Sequence, residues 1–161
     1  MNRLEIMTND IHKHIAVYEC DLYNHTKRYG IYADGHILIE RHMNDRYKKV
    51  ILLEEYFHSK YTAGNILDER KLTNRKQETF VRRKNYETLF SHECIIRAYN
   101  LGFEYYHDVA DYFDLPEAFI REAIEHYKQL HGLMWEVGEY VIFLDSYIEV
   151  FKKDTLKNIY D

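Results

Sequence analysis

Residues 47–61 place a carboxylate and an imidazole on one face of a helix, and this feature constrains the fold of the chain most. The stretch contains no glycine or proline, and Asn44 or Asp45 can serve as its N-cap. At about 100° per residue, Glu54 and His58 fall one turn apart in the middle of an apolar face. The other members of that face are Tyr47, Val50, Ile51, Phe57 and Tyr61. Burying a charge there is costly unless the charge is paired or bound to a metal.

The segment Glu54-Glu55-Tyr56-Phe57-His58 is the pattern H-E-x-x-H with glutamate replacing the first histidine. Two ligands at positions i and i+4 of a helix can bind one metal ion, and Glu55 lies where a general base would stand. The helix alone also permits a structural interpretation. In that interpretation Glu54 pairs with a lysine, and His58 is a hydrogen-bonded core histidine.

The composition is typical of one domain, or of one domain with a small appendage, in a chain of 161 residues. A net charge of −5 with mixed signs provides no global basic surface for nucleic acid. Sixteen tyrosines are compatible with a protein partner. The two cysteines have no metal-ligand spacing, and we find neither a signal peptide nor a long apolar run. We therefore expect a cytoplasmic protein with reduced thiols and no membrane contact.

The first half of the chain predicts a small sheet that precedes the central helix. A short helix over residues 3–13 is followed by strands over 15–20, 29–33 and 36–41, and Asp34-Gly35 forms a hairpin turn between the last two strands. A polar loop over 62–68 then leads to a helix over 74–90. Residues 69–84 hold seven lysines and arginines against two acids, which indicates a solvated helix face or a docking patch for an acidic partner or phosphates.

The second half predicts helices followed by a hairpin. The predicted helices cover 92–101, 104–113 and 116–131, and the predicted hairpin strands cover 133–137 and 140–144, with a frayed tail after Phe151. The last two predicted helices are joined by a tight turn and resemble a helix-turn-helix. Residues 91–131, however, hold eight acids and three lysines or arginines, a surface that would repel phosphate. We therefore interpret the pair as structural or protein-binding.

Three stretches together resemble the ImmA/IrrE family of metallopeptidases, and the resemblance covers roughly residues 14–150. Residues 29–39 resemble the family's hairpin before the metal helix, and 53–68 are similar to the segment around its H-E-x-x-H, where phage members often carry glutamate first. Residues 74–78 with 86–89 resemble the helix that supplies the third ligand.

The resemblance implies an α+β fold with a zincin-like core over residues 1–90, made of a small antiparallel sheet, a metal-bearing helix and a second ligand helix. Residues 91–161 would add the helix-turn-helix-like unit and a C-terminal β-hairpin, packed on the core as one compact unit. Glu54, His58 and Glu78 would be the metal ligands, and Glu55 the general base. We expect a divalent metal, zinc first, with manganese or iron as alternatives because Glu54 makes the donor set harder.

The function that the resemblance implies is a metal-dependent endopeptidase acting as an antirepressor, which cleaves or inactivates a helix-turn-helix repressor of a phage or integrative element. The alternative is a non-catalytic antirepressor that sequesters its repressor on the same fold. A DNA-binding regulator that uses residues 104–131 is a third hypothesis. His36, His42 and His92 are further candidate ligands, since ten histidines make a chance neighbour of the site common.

Overall fold

The computed structural model describes residues 1–61, 72–145 and 147–154, without the side chains of residues 72 and 73. The predicted loop over 62–68 lies outside the described residues. The chain is α+β, as predicted, and divides into two compact units, Met1–Asn85 and Tyr86–Asp161. No helix in the described ranges is long and apolar enough to cross a membrane.

The first unit begins with a helix and a three-stranded sheet. In chain order its elements are α1 (Arg3–His12), β1 (Ala16–Cys20), α2 (Tyr23–Thr26), β2 (Gly30–Ala33), β3 (His36–Glu40) and α3 (Asp45–Tyr61), followed by α4 (Leu72–Leu89), in which the division between the units falls. Short helix α2 lies between β1 and β2, in a stretch where we predicted no helix.

The prediction of an antiparallel sheet is wrong, because the sheet is mixed. The strand order is β1-β3-β2, with β3 parallel to β1 and antiparallel to β2. The most apolar strand, β3, takes the centre, where Ile37 and Ile39 are fully buried. The predicted hairpin turn between β2 and β3 is confirmed, since Asp34 and Gly35 both have positive φ angles, 49° and 77°.

Helices α1 and α3 pack on the sheet, and α3 buries only part of its predicted apolar face, including Phe57 and Ile51. The buried core residues of this layer are Leu4, Ile11, Val17, Ile37, Ile39 and Leu52. On α3 the neighbouring Leu53 is buried as well, whereas Tyr47 and Tyr61 of the predicted apolar face are about half exposed, at 45% and 51%. Leu52 lies on the opposite side of the helix from half-buried Glu54, so the main core is not centred on the predicted apolar face.

The N-terminus of α3 confirms the predicted cap. The Asn44 side-chain oxygen accepts a hydrogen bond from the Tyr47 N–H at 3.1 Å, which satisfies one of the free donors of the first turn. At the other side of α3, buried Asn85 of α4 donates from Nδ2 to the Val50 carbonyl at 3.0 Å. Helix α3 is therefore covered by the sheet on one side and contacted by α4 on the other.

The second unit consists of α5 (His92–Asn100), α6 (Tyr106–Phe113), α7 (Glu117–His131) and an antiparallel sheet of β4 (Met134–Val137), β5 (Tyr140–Leu144) and β6 (Ile148–Lys152). The predicted helices are present, and Pro116 is the N-cap of α7. The predicted two-stranded hairpin is incomplete. Strand β6, which we did not predict, extends it, because Val150 is buried and pairs with Ile142 of β5. Of the frayed tail predicted after Phe151, Lys152 belongs to this strand.

Candidate metal centre

Glu54, His58 and Glu78 form a compact cluster in the first unit. One potential ligand atom from each lies within 4.8 Å of the others, and no other group of three or more such side chains occurs among the described residues. His58 is buried, and the two glutamates are half-buried. The distance from His58 Nε2 to Glu78 Oε2 is 3.4 Å. The fold thus brings the Glu78 side chain, 20 positions after His58, against the i, i+4 pair of Glu54 and His58.

Local structure explains how the three side chains meet. Glu54 and His58 share a face of α3 because four residues make about one helical turn. Glu78 comes from α4, which the Asn85 hydrogen bond to the Val50 carbonyl ties to α3. Near the end of α3 the Tyr61 and Phe80 rings meet edge to face with centroids 5.5 Å apart, a second contact between the helices.

Hydrogen bonds connect the three side chains. Glu78 accepts hydrogen bonds from His58 and Glu54, and the bond from His58 is the main reason that its pKa lies below the ordinary value despite burial. Burial, and next the Glu78 carboxylate, raise the pKa of Glu54. Burial alone would lower the pKa of His58, but its hydrogen bond to Glu78 and the surrounding carboxylates outweigh that effect and raise it.

This donor set fits a divalent cation. Two half-buried carboxylates and one buried imidazole bring ligand atoms within 4.8 Å of one another, and a bound cation would displace the protons that they share in hydrogen bonds. Carboxylate oxygen and imidazole nitrogen are ligands that zinc, manganese and iron accept. Because binding would release these protons, metal affinity should rise with pH.

Glu55 lies beside the cluster and is half-buried against Gly30 of β2. Burial, with a smaller contribution from Glu54, raises its pKa to about 7, although His58 and a hydrogen bond from the Tyr32 N–H oppose the shift. A carboxyl with that pKa can accept and return a proton near neutral pH.

Gly30 of edge strand β2 leaves the space that the Glu55 side chain occupies. A Cβ atom added to Gly30 would lie 2.9 Å from Glu55 Cγ and 3.1 Å from Oε1, and it would also clash with the Ile51 side chain. Sequence reasoning missed Gly30 and the Tyr32 N–H. A glycine inside a strand pattern is a signal of close approach by another group, and it was the one available clue.

Arg82 is a further neighbour that the sequence did not single out. We assigned it only to the basic stripe of 69–84, but its positive charge lowers the pKa values of both Glu54 and Glu78. It therefore helps to keep these carboxyls ionised, as metal ligands must be.

The three additional histidines lie elsewhere. His36 Nδ1 is 2.8 Å from the Asp34 carbonyl oxygen in the hairpin turn. His42 is exposed just after β3. His92 of the second unit accepts a hydrogen bond from Trp135 Nε1 at 3.1 Å. None of them belongs to the cluster found within the described part of the chain.

Comparison of the chain with protein-family models, with curated proteins and with solved structures finds no match. The resemblance to the ImmA/IrrE family stays a prediction that rests on the residues quoted above.

Proposed function

We propose that the chain is a metal-dependent endopeptidase with a zincin-like core, which acts as an antirepressor by cleaving a helix-turn-helix repressor of a phage or integrative element. The observation that carries the proposal is the convergence of Glu54, His58 and Glu78 beside a carboxyl, Glu55, whose pKa is about 7. Three protein ligands leave coordination positions for water and substrate, which is typical of catalytic rather than structural zinc sites.

The chemistry follows from the side chains. A divalent metal held by Glu54, His58 and Glu78 would supply a Lewis acid that acidifies water and polarises a peptide carbonyl. Glu55 takes a proton from the attacking water and returns it to the departing amine. The hydroxide adds to the carbonyl carbon, the C–N bond breaks, and the products are a carboxylate and an amine. Before the metal binds, the hydrogen bond between His58 and Glu78 holds these two ligands close together, and the metal would replace its proton.

The metal is tested first. We would purify the full chain without an affinity tag and measure its metal content by elemental mass spectrometry, for the parent, for His58→Ala and for His36→Ala as the matched control. We expect near-stoichiometric divalent metal in the parent and the control, and loss in His58→Ala. A metal-free parent would overturn the peptidase proposal, and the metal found would choose between zinc, manganese and iron.

Catalysis is tested by Glu55→Gln, which keeps the size of the side chain but removes the base. We expect this variant to retain metal and to cleave a co-encoded repressor about 10²–10⁴-fold more slowly. If Glu55→Gln relieves repression as well as the parent does, the non-catalytic antirepressor that sequesters its repressor is the correct function.

A further inference from the structure

The second unit contains a cavity of about 780 Å³ that the proposed peptidase chemistry does not use. It is open to solvent, and the end of α5, the following loop, the start of α6 and the start of β6 line it. Its lining residues are Tyr99, Gly102, Phe103, Glu104, Tyr105, Tyr106, Val109, Tyr147, Ile148 and Glu149. A volume of this size holds a ligand larger than a single side chain.

Aromatic residues make up half of the cavity lining, and aromatic rings attract cations to their faces. Five of the ten lining residues are tyrosine or phenylalanine. Tyr105 and Tyr147 are 61% and 80% exposed, so their rings are accessible to a ligand. The Arg121 guanidinium already lies 4.3 Å from the centre of the Tyr106 ring, so a ring of this wall holds a cation within the protein itself.

The charged side chains found in the described lining of the cavity are both acidic. Glu104 and Glu149 line it, and no lysine, arginine or histidine does so among the residues that the structure describes. The Tyr99 hydroxyl donates to Glu149 Oε2 at 3.2 Å, which orients that carboxylate in the wall. The sequence of the whole unit, 86–161, has 15 acids against six lysines and arginines, a net charge of −9. A cation would therefore be attracted from a distance and then held at short range.

We infer that this aromatic and acidic cavity binds an arginine or lysine side chain of a polypeptide partner. A guanidinium can stack on a tyrosine face while its edge donates to a carboxylate, and the cavity supplies both groups. The remaining volume accommodates the backbone on either side of the cation. No residue of the candidate metal centre belongs to this unit, so the inference stands independently of the proposed peptidase.

The test is a titration of the isotopically labelled full chain with the peptide acetyl-Gly-Gly-Arg-Gly-Gly-amide, followed by amide chemical shifts in NMR spectra. The same peptide with citrulline, which has the shape of arginine but no charge, is the matched control ligand. We expect shifts at the Gly102 and Ile148 amides with the arginine peptide and none with citrulline. Absence of shifts at millimolar arginine peptide, or equal shifts with citrulline, would overturn the inference.

Two variants and one further ligand locate the interaction. We expect Tyr105→Ala to weaken binding about two- to five-fold through the lost ring, and Glu149→Gln to weaken it about ten-fold through the lost charge. Tyr47→Ala removes a comparably exposed tyrosine from the other unit and should leave binding unchanged. Unchanged affinity in both cavity variants, with intact spectra, would contradict the inference. N-acetylarginine amide should bind more weakly than the peptide, and equal affinity would exclude a polypeptide as the ligand.

Discussion

At the scale of single residues, Glu55 combines a candidate catalytic role with a cost in stability. Its pKa rises from the ordinary 4.5 to about 7 in the folded protein, chiefly through burial. Between pH 4.5 and 7 the folded state therefore holds a proton that the unfolded state has lost. Protonated Glu55 imposes no cost below pH 4.5, and its contribution to the free energy of unfolding is fully present there. That contribution is lost as the pH rises through 7, because the folded protein must then bury a charged carboxylate. Such a cost is typical of a group placed for chemistry rather than for folding.

We therefore predict that Glu55→Gln stabilises the metal-free protein at pH 8 by about 1–3 kcal/mol and has little effect near pH 4. Glutamine resembles the protonated acid and carries no charge to desolvate. The measurement is urea unfolding of chelator-treated parent and variant at both pH values. Equal stabilisation at the two pH values would show that the buried charge is not the cause.

Gly30 is the second residue whose identity the site requires. Replacing glycine by alanine in a strand commonly stabilises by about 0.4–1 kcal/mol through the unfolded chain. At Gly30 the added methyl group would instead overlap Ile51 and crowd Glu55 Cγ. Overpacking of this kind costs about 1–3 kcal/mol, so the steric effect should dominate.

We predict that Gly30→Ala destabilises the protein by about 1–2 kcal/mol in urea unfolding. The control is the same change in an Ile51→Ala background, which removes the principal clash. The two effects should be non-additive, with a smaller cost of Gly30→Ala in the double variant. Additive costs would mean that the glycine is needed for another reason.

At the scale of elements, an ion pair connects α3 to the first sheet. Lys48 Nζ lies 2.8 Å from Glu19 Oε2 of β1, and the Lys48 side chain is only 9% exposed. The Glu19 carboxylate, whose side chain is 46% exposed, is therefore the partner of a lysine with a largely buried side chain. Removing the carboxylate leaves that lysine without its counter-ion, whereas replacing the lysine by an apolar residue of similar length removes the charge itself.

The prediction is an asymmetry between two variants. Glu19→Gln should destabilise by about 1–3 kcal/mol, while Lys48→Met should change the free energy of unfolding by less than about 1.5 kcal/mol. The exposed pair Lys13–Asp10, with atoms 2.7 Å apart, is the matched control, and Asp10→Asn should fall within about 0.5 kcal/mol of the parent. Equal losses for Glu19→Gln and Lys48→Met would contradict this interpretation.

At the scale of the whole molecule, the two units differ in the sign of their charge. Residues 1–85 hold 16 lysines and arginines against 12 acids, a net charge of +4, whereas residues 86–161 carry −9. The helix that would enter a DNA groove, α7, belongs to the acidic unit. Its Arg121 and Lys128 already pair with Glu117 and Glu125 at 2.7 and 3.4 Å. Few cations of this helix remain to neutralise phosphates.

We therefore predict no binding of duplex DNA by the purified full chain at physiological salt. Fluorescence anisotropy with a labelled duplex, measured between about 50 and 200 mM salt, would detect phosphate-driven binding as a steep loss of affinity. Tight binding with that salt dependence, abolished by Arg121→Glu, would instead establish the DNA-binding regulator that we consider the weakest hypothesis.

Features that depend on near neighbours along the chain could be predicted from the sequence alone. The Asn44 cap, the Asp34-Gly35 turn and the i, i+4 spacing of Glu54 and His58 are all set within a few residues, where backbone geometry and hydrogen bonding decide the outcome. These local features were predicted correctly. The resemblance added Glu78, which spacing alone did not connect to the pair.

Features that depend on distant partners could not be predicted before the folded structure was known. The parallel pairing of β1 with β3, the core-facing side of α3 and the pairing of β6 with β5 each require a choice among surfaces of similar apolar character. The same holds for the environment of Glu55. The pKa of its carboxyl is set by burial against β2, which lies 23 to 25 positions away in the chain. Burial and electrostatics are sums over neighbours in space, and those neighbours exist only once the chain has folded.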